Sequence, residues 1–327
     1  MSDFPVRCFT LEASRPYAEA VAEALGVSLG SHEERGFEDG EHKSRPLESV
    51  RGEDVYVIHS LYGDAEQTAS DKLVRLLFFL GALKDAGAYR LTAVTPYLCY
   101  ARKDQKTKPR DPVTTRYVAS LFDAIGVDRV VTIDVHNIAA FQNAFRCATE
   151  HLVARPLFVR HCADMVRNEE IGVVSPDAGG IKRADRLRAD LVCVLDRPVT
   201  GAFLEKYRSE GVVRGGAIVG DVRDRTAIIV DDLIGAGTTI RRAAAACRDA
   251  GARRVIALAT HGVFVGAAND VIADPAIEHV IVTDTVPPFR LNPDLVKRKV
   301  TVLSTAPLIA DAIRCMHEGR SMVELTL

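Results

Sequence analysis

Two adjacent carboxylates, Asp231 and Asp232, close an apolar run at 227–230. A small-residue turn follows, with Gly235, Ala236, Gly237, Thr238 and Thr239, and then a segment rich in alanine and arginine. These residue types suit a phosphorylated sugar. The amides of a tight turn at a helix N-terminus attract a phosphate dianion. Gly235 and Gly237 let the backbone approach closely, and the two threonines add hydroxyl donors. Asp231 and Asp232 can accept hydrogen bonds from the two ring hydroxyls of a ribose. No Gly-Lys-Ser/Thr follows, which excludes a Walker loop, and the third glycine of the dinucleotide fingerprint is missing. The plainer alternative is a buried strand with a capped helix after it. Two acids at a strand's carboxyl end, the edge where open α/β sheets bind ligands, favour the site.

Three further clusters carry chemistry. Asp134-Val135-His136 and Ser175-Pro176-Asp177-Ala178-Gly179-Gly180 each place polar groups at an expected strand end. A divalent cation that travels with phosphates usually takes only one or two protein ligands. His136 and Asp177 suit that part; otherwise they are a strand-end hydrogen-bonding histidine and a turn acid. The densest basic run holds Arg102, Lys103, Asp104, Lys106, Lys108 and Arg110. It suits a polyphosphate clamp or is a solvated basic loop. Lys206 and Arg208 follow an expected strand at 201–205 and precede a glycine-rich stretch. Two cations on a loop able to close over a phosphate would neutralise charge in a phosphoryl-type transition state; the alternative is an exposed hairpin.

The elements that must position these groups alternate along the chain. Expected strands lie at 55–59, 91–97, 130–135, 172–175, 201–205, 227–230, 255–259, 279–283 and 300–303. Expected helices lie at 16–25, 67–86, 114–124, 181–191, 239–250 and 306–317. Such alternation predicts parallel βαβ units. The continuous apolar runs predict sheets covered on both faces. The expectation is α/β, with two similar domains at 1–152 and 153–305. A last helix at 306–327 is expected to pack back on the first.

With 327 residues the chain is long enough for two ordinary cores. Its net charge of −2, with acids and bases interspersed, gives no basic field for nucleic acid. No run of about 18 apolar residues predicts a membrane span, and the N-terminus lacks a signal-peptide core. Seven cysteines include no CxxC pair, which points to buried thiols in a reducing compartment. A cytoplasmic protein is expected.

Taken together, the runs resemble the ribose-phosphate pyrophosphokinases, or phosphoribosyl pyrophosphate synthetases, over nearly the whole chain. The family's Phe-x-Asp-Gly-Glu is met at Phe37, Asp39, Gly40 and Glu41, and its Pro-Tyr-x-x-Tyr-Ala-Arg at Pro96 to Arg102. Asp-x-His is met at Asp134 and His136, and Ser-Pro-Asp-x-Gly-Gly at 175–180. Lys-x-Arg is met at Lys206 and Arg208, Val-Asp-Asp at 230–232, and Ala-Thr-His-Gly at 259–262.

The resemblance implies two phosphoribosyltransferase-like domains, and transfer of the β,γ-diphosphoryl group of Mg-ATP to the C1 hydroxyl of ribose 5-phosphate. It implies that the Gly235–Thr239 turn, with Asp177, Asp231 and Asp232, binds ribose 5-phosphate. Phe37, Asp39, Glu41, Arg102, Lys103, Asp104 and His136 would bind ATP, the 37–41 residues being able to reach a neighbouring subunit's adenine. His136 and Asp177 would serve Mg²⁺, and Lys206 and Arg208 would be catalytic. A dimer or hexamer is implied. The chain departs from the family at Gly235-Ala236, where Asp-Thr is usual, at Thr238 in place of a glycine, and at Lys103 in place of a glutamine. A phosphoribosyltransferase, or a non-catalytic homologue acting by co-assembly, stand as alternatives.

Overall fold

The computed structural model describes residues 4–205, 207–209, 212–214 and 216–325. They fall into two compact units, Met1–Val153 with Thr305–Leu327, and Ala154–Ser304. The first unit runs β1 (Val6–Thr10), α1 (Arg15–Leu25), β2 (His32–Gly36), β3 (His42–Pro46), β4 (Asp54–Ile58), α2 (Ala69–Asp85), β5 (Arg90–Val94), α3 (Thr114–Ile125), β6 (Arg129–Ile133), α4 (Ile138–Ala144) and β7 (Ala148–Leu152). Five parallel strands form its sheet in the order β1-β4-β5-β6-β7. β2 and β3 form a separate antiparallel hairpin, and β3 lies against α2. α2 starts at a capping box. Thr68 accepts from the Asp71 amide, and the Asp71 carboxylate accepts from the Thr68 amide, which satisfies two otherwise orphaned donors. Phe9, Val55, Val57, Leu76, Leu80, Phe122 and Phe141 are fully buried in this core, each contributing roughly 1.5–3 kcal/mol of transfer free energy.

The second unit runs α5 (Arg155–Met165), β8 (Ile171–Ser175), α6 (Ile181–Leu195), β9 (Thr200–Leu204), β10 (Tyr207–Ser209), β11 (Val212–Arg214), β12 (Ile218–Gly220), β13 (Thr226–Ile234), α7 (Thr238–Asp249), β14 (Arg254–Gly262), α8 (Ala268–Ala273), β15 (His279–Thr283), α9 (Pro293–Lys299) and β16 (Val300–Leu303). Its seven-stranded sheet has the order β12-β9-β8-β13-β14-β15-β16, parallel except for β12 against β9. The direction of winding reverses between β8 and β13. Such a switch point opens a crevice at the strands' carboxyl ends.

A final helix, α10 (Ala306–Glu318), belongs to the first unit and packs on α1. Arg90 at the start of β5 donates to the Met316 carbonyl at 3.2 Å. Arg90 and His317 both engage the buried Asp54 of β4, His317 Nδ1 lying 2.9 Å from Asp54 Oδ2.

The structure adds α4, α5, α8 and α9 to the expected helices, and its strands differ as well. β1, the β2–β3 hairpin, β7 and the short β10, β11 and β12 are additions to the expected strands: HEERG, HKSRP and ATEHL are polar with little period-two contrast, and the others are runs of only three to five residues. β13 does not stop at 230. It runs through both aspartates to Ile234, with Asp231 opposite Ala259 and Leu233 opposite His261. An equally extended β14 supplies that ladder, and a tertiary partner of this kind leaves no mark in the local sequence.

Candidate active site

The acidic pair sits at the carboxyl end of β13, beside the switch point. The two carboxyls lie side by side at the strand end; Asp231 is half-buried and Asp232 buried. Arg183 on the first turn of α6 spans both. Its Nη1 donates to Asp231 Oδ1 at 3.1 Å, and its Nη2 lies 3.5 Å from Asp232 Oδ1. Burial pushes the Asp231 carboxyl well above the usual carboxylate range, the neighbouring Asp232 adds to this, and Arg183 opposes it. Two close like charges cannot both ionise freely. Sequence reading missed Arg183. The available signal was a cation in the first turn of a helix, where the macrodipole disfavours one.

The turn after β13 is shaped by Gly237, which caps α7 at φ +76°. A Cβ there would lie 2.8 Å from Val271 Cγ1. The Ile234 and Gly235 carbonyls accept from the Phe264 and Val265 amides at 3.0 and 3.1 Å, fixing the turn to the chain beyond β14. Gly235 and Ala236 are half-buried, Thr238 is exposed and Thr239 half-buried. Among the described residues no side chain caps α7. At the end of the adjacent β8, Asp177 Oδ1 accepts from the Gly180 amide at 3.2 Å, and Ser175 Oγ donates to the Asp177 carbonyl at 2.6 Å. Asp177 therefore shares a sheet edge with the acidic pair. On the other side of β13, His261 Nδ1 lies 2.8 Å from Thr285 Oγ1 at the end of β14.

In the first unit the basic run follows β5. Arg102 is exposed, whereas Lys103 is tied to Asp111 Oδ2 at 2.6 Å. That oxygen also accepts from the Thr107 hydroxyl at 2.7 Å and from the Thr107 and Lys108 amides. Lys103 and then Thr107 hold the Asp111 carboxyl far below its ordinary range. Lys103 thus pins the loop on itself. Asp104 Oδ2 accepts from Asn137 Nδ2 at 2.7 Å, which brings the basic run to the residue beside His136 at the end of β6. Asp134 there has φ +41°, and the Val135 amide donates to His151 Nε2 at 3.1 Å. His136 is exposed.

Phe37, Asp39 and Glu41 form the tip of the β2–β3 hairpin and are exposed. The Phe37 amide donates to the Glu41 carbonyl at 2.8 Å, and Asp39 Oδ1 accepts from the Glu41 amide at 3.0 Å. Lys206 lies outside the described residues. Arg208 stands in β10 opposite Val213. Among the described residues no group of three or more His, Cys, Asp and Glu side chains is placed to hold a metal ion, and no helix is long and apolar enough to cross a membrane. The seven cysteines are free thiols.

Fold and strand-end groups together define an α/β protein with polar and acidic side chains gathered at the carboxyl edges of parallel sheets. Residues 6–126 match the N-terminal domain of ribose phosphate pyrophosphokinase, and residues 214–326 match the phosphoribosyl synthetase-associated domain. A ribose-phosphate pyrophosphokinase from Caldanaerobacter subterraneus subsp. tengcongensis is 38% identical, over 98% of this chain and 97% of that one. One from Hyphomonas neptunium is 37% identical, over 98% and 99%. The crystal structure of phosphoribosylpyrophosphate synthetase from Mycobacterium smegmatis superposes with a TM-score of 0.85 at 35% identity, covering 96% of this chain and 99% of that one. The chain belongs to the ribose-phosphate pyrophosphokinase family and is an enzyme of that activity.

Proposed function

We propose that the enzyme transfers the β,γ-diphosphoryl group of ATP to the C1 hydroxyl of ribose 5-phosphate, releasing AMP. The observation that carries this reading is the acidic pair at the end of β13, braced by Arg183 and followed by the glycine turn. Asp231 and Asp232 accept from the ribose 2- and 3-hydroxyls, and charge-assisted bonds of this kind are the strong ones. Gly235, Ala236, Gly237, Thr238 and Thr239 receive the 5-phosphate at the start of α7. In the first unit, Phe37, Asp39 and Glu41 receive the adenine, while Arg102 and Asp104 lie along the phosphates. Lys103 acts there by holding the loop.

The reaction forms a bond from the C1 oxygen to the β-phosphorus and breaks the bond from that phosphorus to the bridging oxygen of AMP. The C1 hydroxyl gives up its proton to water. A loose in-line transition state needs alignment and cations more than a strong base, and Lys206 and Arg208 supply the cations. The donor set suits a hard divalent cation, because oxygen donors gather at neighbouring strand ends, Asp177 after β8 and Asp231 and Asp232 on β13. His136 and Asp177 are the residues that would serve Mg²⁺ or its waters, and the ion would supply neutralisation of phosphate charge.

A cytoplasmic homo-oligomer belongs to the same reading. α2 and α3 pack side by side and expose Val74, Phe78, Tyr117 and Leu121, a surface suited to self-association.

The test is formation of AMP and phosphoribosyl pyrophosphate by the purified chain from Mg-ATP and ribose 5-phosphate, beside Lys206→Ala. Turnover that collapses in the variant supports the assignment. No AMP across a range of phosphate, metal and donor nucleotide sinks it.

A further inference from the structure

Lys72 lies on the inner face of α2 and is fully buried, where an apolar residue is the rule. Its ammonium contacts Asp64 Oδ2 at 2.6 Å and sits 3.8 Å from the centroid of the Tyr62 ring. Asp64 Oδ1 accepts from the Glu66 and Gln67 amides at 2.9 and 2.8 Å. The loop after β4 is therefore folded on itself and fastened to α2 from below. Fully buried His59 begins this loop, and burial and then the Lys72 charge push its imidazole down to about 3. His59 therefore brings no second cation to Asp64.

The same loop and helix carry both nucleotide-side segments. The Leu61 amide donates to the Tyr97 carbonyl at 2.9 Å, and the Tyr97 amide donates to Ser60 Oγ at 3.3 Å. Ser70 on the first turn of α2 meets the Tyr100 hydroxyl at 2.6 Å, two residues before Arg102. The β2–β3 hairpin rests on the next turns. His42 stacks on Phe78 with ring centroids 5.3 Å apart, and His32 lies 5.4 Å from Phe79. Both segments thus rest on α2 or its flanking loop, and the pair beneath fastens α2 to the loop after β4.

We propose that Lys72, with Asp64 and Tyr62, is a positioning residue for ATP: it holds α2 so that the 37–41 tip and the Tyr100–Asp104 turn take their nucleotide-binding places. The proposal rests on the assignment of those two segments to ATP. A buried ion pair is a poor source of stability, since apolar replacements of similar volume often do as well. A role in fixing geometry explains the charge better.

The test uses the full chain and the variants Lys72→Met, Asp64→Asn and the double variant. Lys72→Met is expected to raise the KM for ATP by about tenfold and leave the KM for ribose 5-phosphate unchanged, while the urea midpoint falls because Asp64 loses its partner. Amide hydrogen exchange should quicken in β2, β3 and 97–104. The double variant should be no worse than either single one, because the residues act as one unit. Asp64→Asn keeps the turn-side oxygen and gives the same ATP-selective reading if Lys72→Met fails to fold. Unchanged ATP KM and unchanged exchange overturn the proposal. So does an equal rise in both KM values, which marks a plain folding defect. If the wild-type chain makes no phosphoribosyl pyrophosphate, the functional reading fails, and the exchange comparison still decides whether Lys72 positions the two segments.

Discussion

Asn137 Nδ2 donates to Asp104 Oδ2 at 2.7 Å, so the end of β6 and the basic run after β5 are joined by one side-chain hydrogen bond. Asn137 also caps α4, accepting from the Ala140 amide at 3.1 Å. The two jobs separate in Asn137→Asp. Aspartate caps a helix as well as asparagine does, yet it sets a second carboxylate against Asp104. The expected outcome is a thermal midpoint lowered only slightly, since the cap is kept, and a KM for ATP raised by roughly fivefold, in keeping with about 1 kcal/mol for close charges in water. Steady-state kinetics with each substrate varied in turn checks it; an unchanged ATP KM counts against this contact shaping the donor site.

Gly237 offers a second separation of roles. An alanine there meets two costs: a left-handed φ worth about 1–2 kcal/mol, and the close approach to Val271 at 2.8 Å. Gly26 at the end of α1 has a similar φ of +81°, and a Cβ on it would meet nothing within 4 Å. Gly237→Ala is therefore expected to raise the KM for ribose 5-phosphate at least tenfold and to lower stability by about 2 kcal/mol. Gly26→Ala should lower stability by about 1 kcal/mol and leave both KM values alone. Equal kinetics for the two variants would exclude a special place for the turn.

How much of this was legible in the sequence depends on how local each cause is. Asp231, Asp232 and Gly237 announce themselves, because an acid pair and glycines at the end of an apolar run have few local explanations. The long β-strands and helices of the second unit show through periodicity in the same way. Arg183 does not. It acts through a salt bridge to residues 48 and 49 positions away; a cation in a helix's first turn marks it as unusual, but names no partner. Lys103 reads as a phosphate-side cation from its place in a basic run; its pairing with Asp111 eight residues on is a contact that the run does not encode. The β2–β3 hairpin stayed hidden because its apolar partner is the face of α2, not an alternation of its own.

The raised Asp231 carboxyl gives a pH prediction. In the folded chain the pair keeps a proton to a higher pH than in the unfolded chain. Asp231 thus favours the folded state less and less as pH rises from the ordinary carboxylate range through its folded value. Binding runs the other way, because the ionised pair is the better acceptor for ribose hydroxyls. kcat/KM for ribose 5-phosphate should therefore fall on the acid side as the pair gains its proton, and this limb reports the free enzyme. Arg183→Met removes the cation that opposes protonation, so the acid limb should move to higher pH. A pH–rate profile with an unmoved limb would show that the pair does not govern this step.

The base of the first sheet carries its own prediction. Asp54 is buried at the start of β4; burial would raise its carboxyl, but hydrogen bonds from Arg90 and His317 hold it below the usual range. A carboxylate depressed in this way contributes stability that is fully present above its unfolded value of about 3.9 and lost as pH falls through the lower folded one. Asp54→Asn leaves Arg90 facing a neutral amide and loosens the hold on His317 and α10, whose Met316 carbonyl Arg90 also binds. Removing one partner of a buried pair costs about 3 kcal/mol. The variant should unfold at lower urea at pH 7, and below about pH 4 the gap from wild type should narrow, because the wild type loses the same contribution. Amides of α10 should exchange faster in the variant at neutral pH. A gap that stays constant with pH would mean that the ionised carboxylate is not what ties α10 to β4.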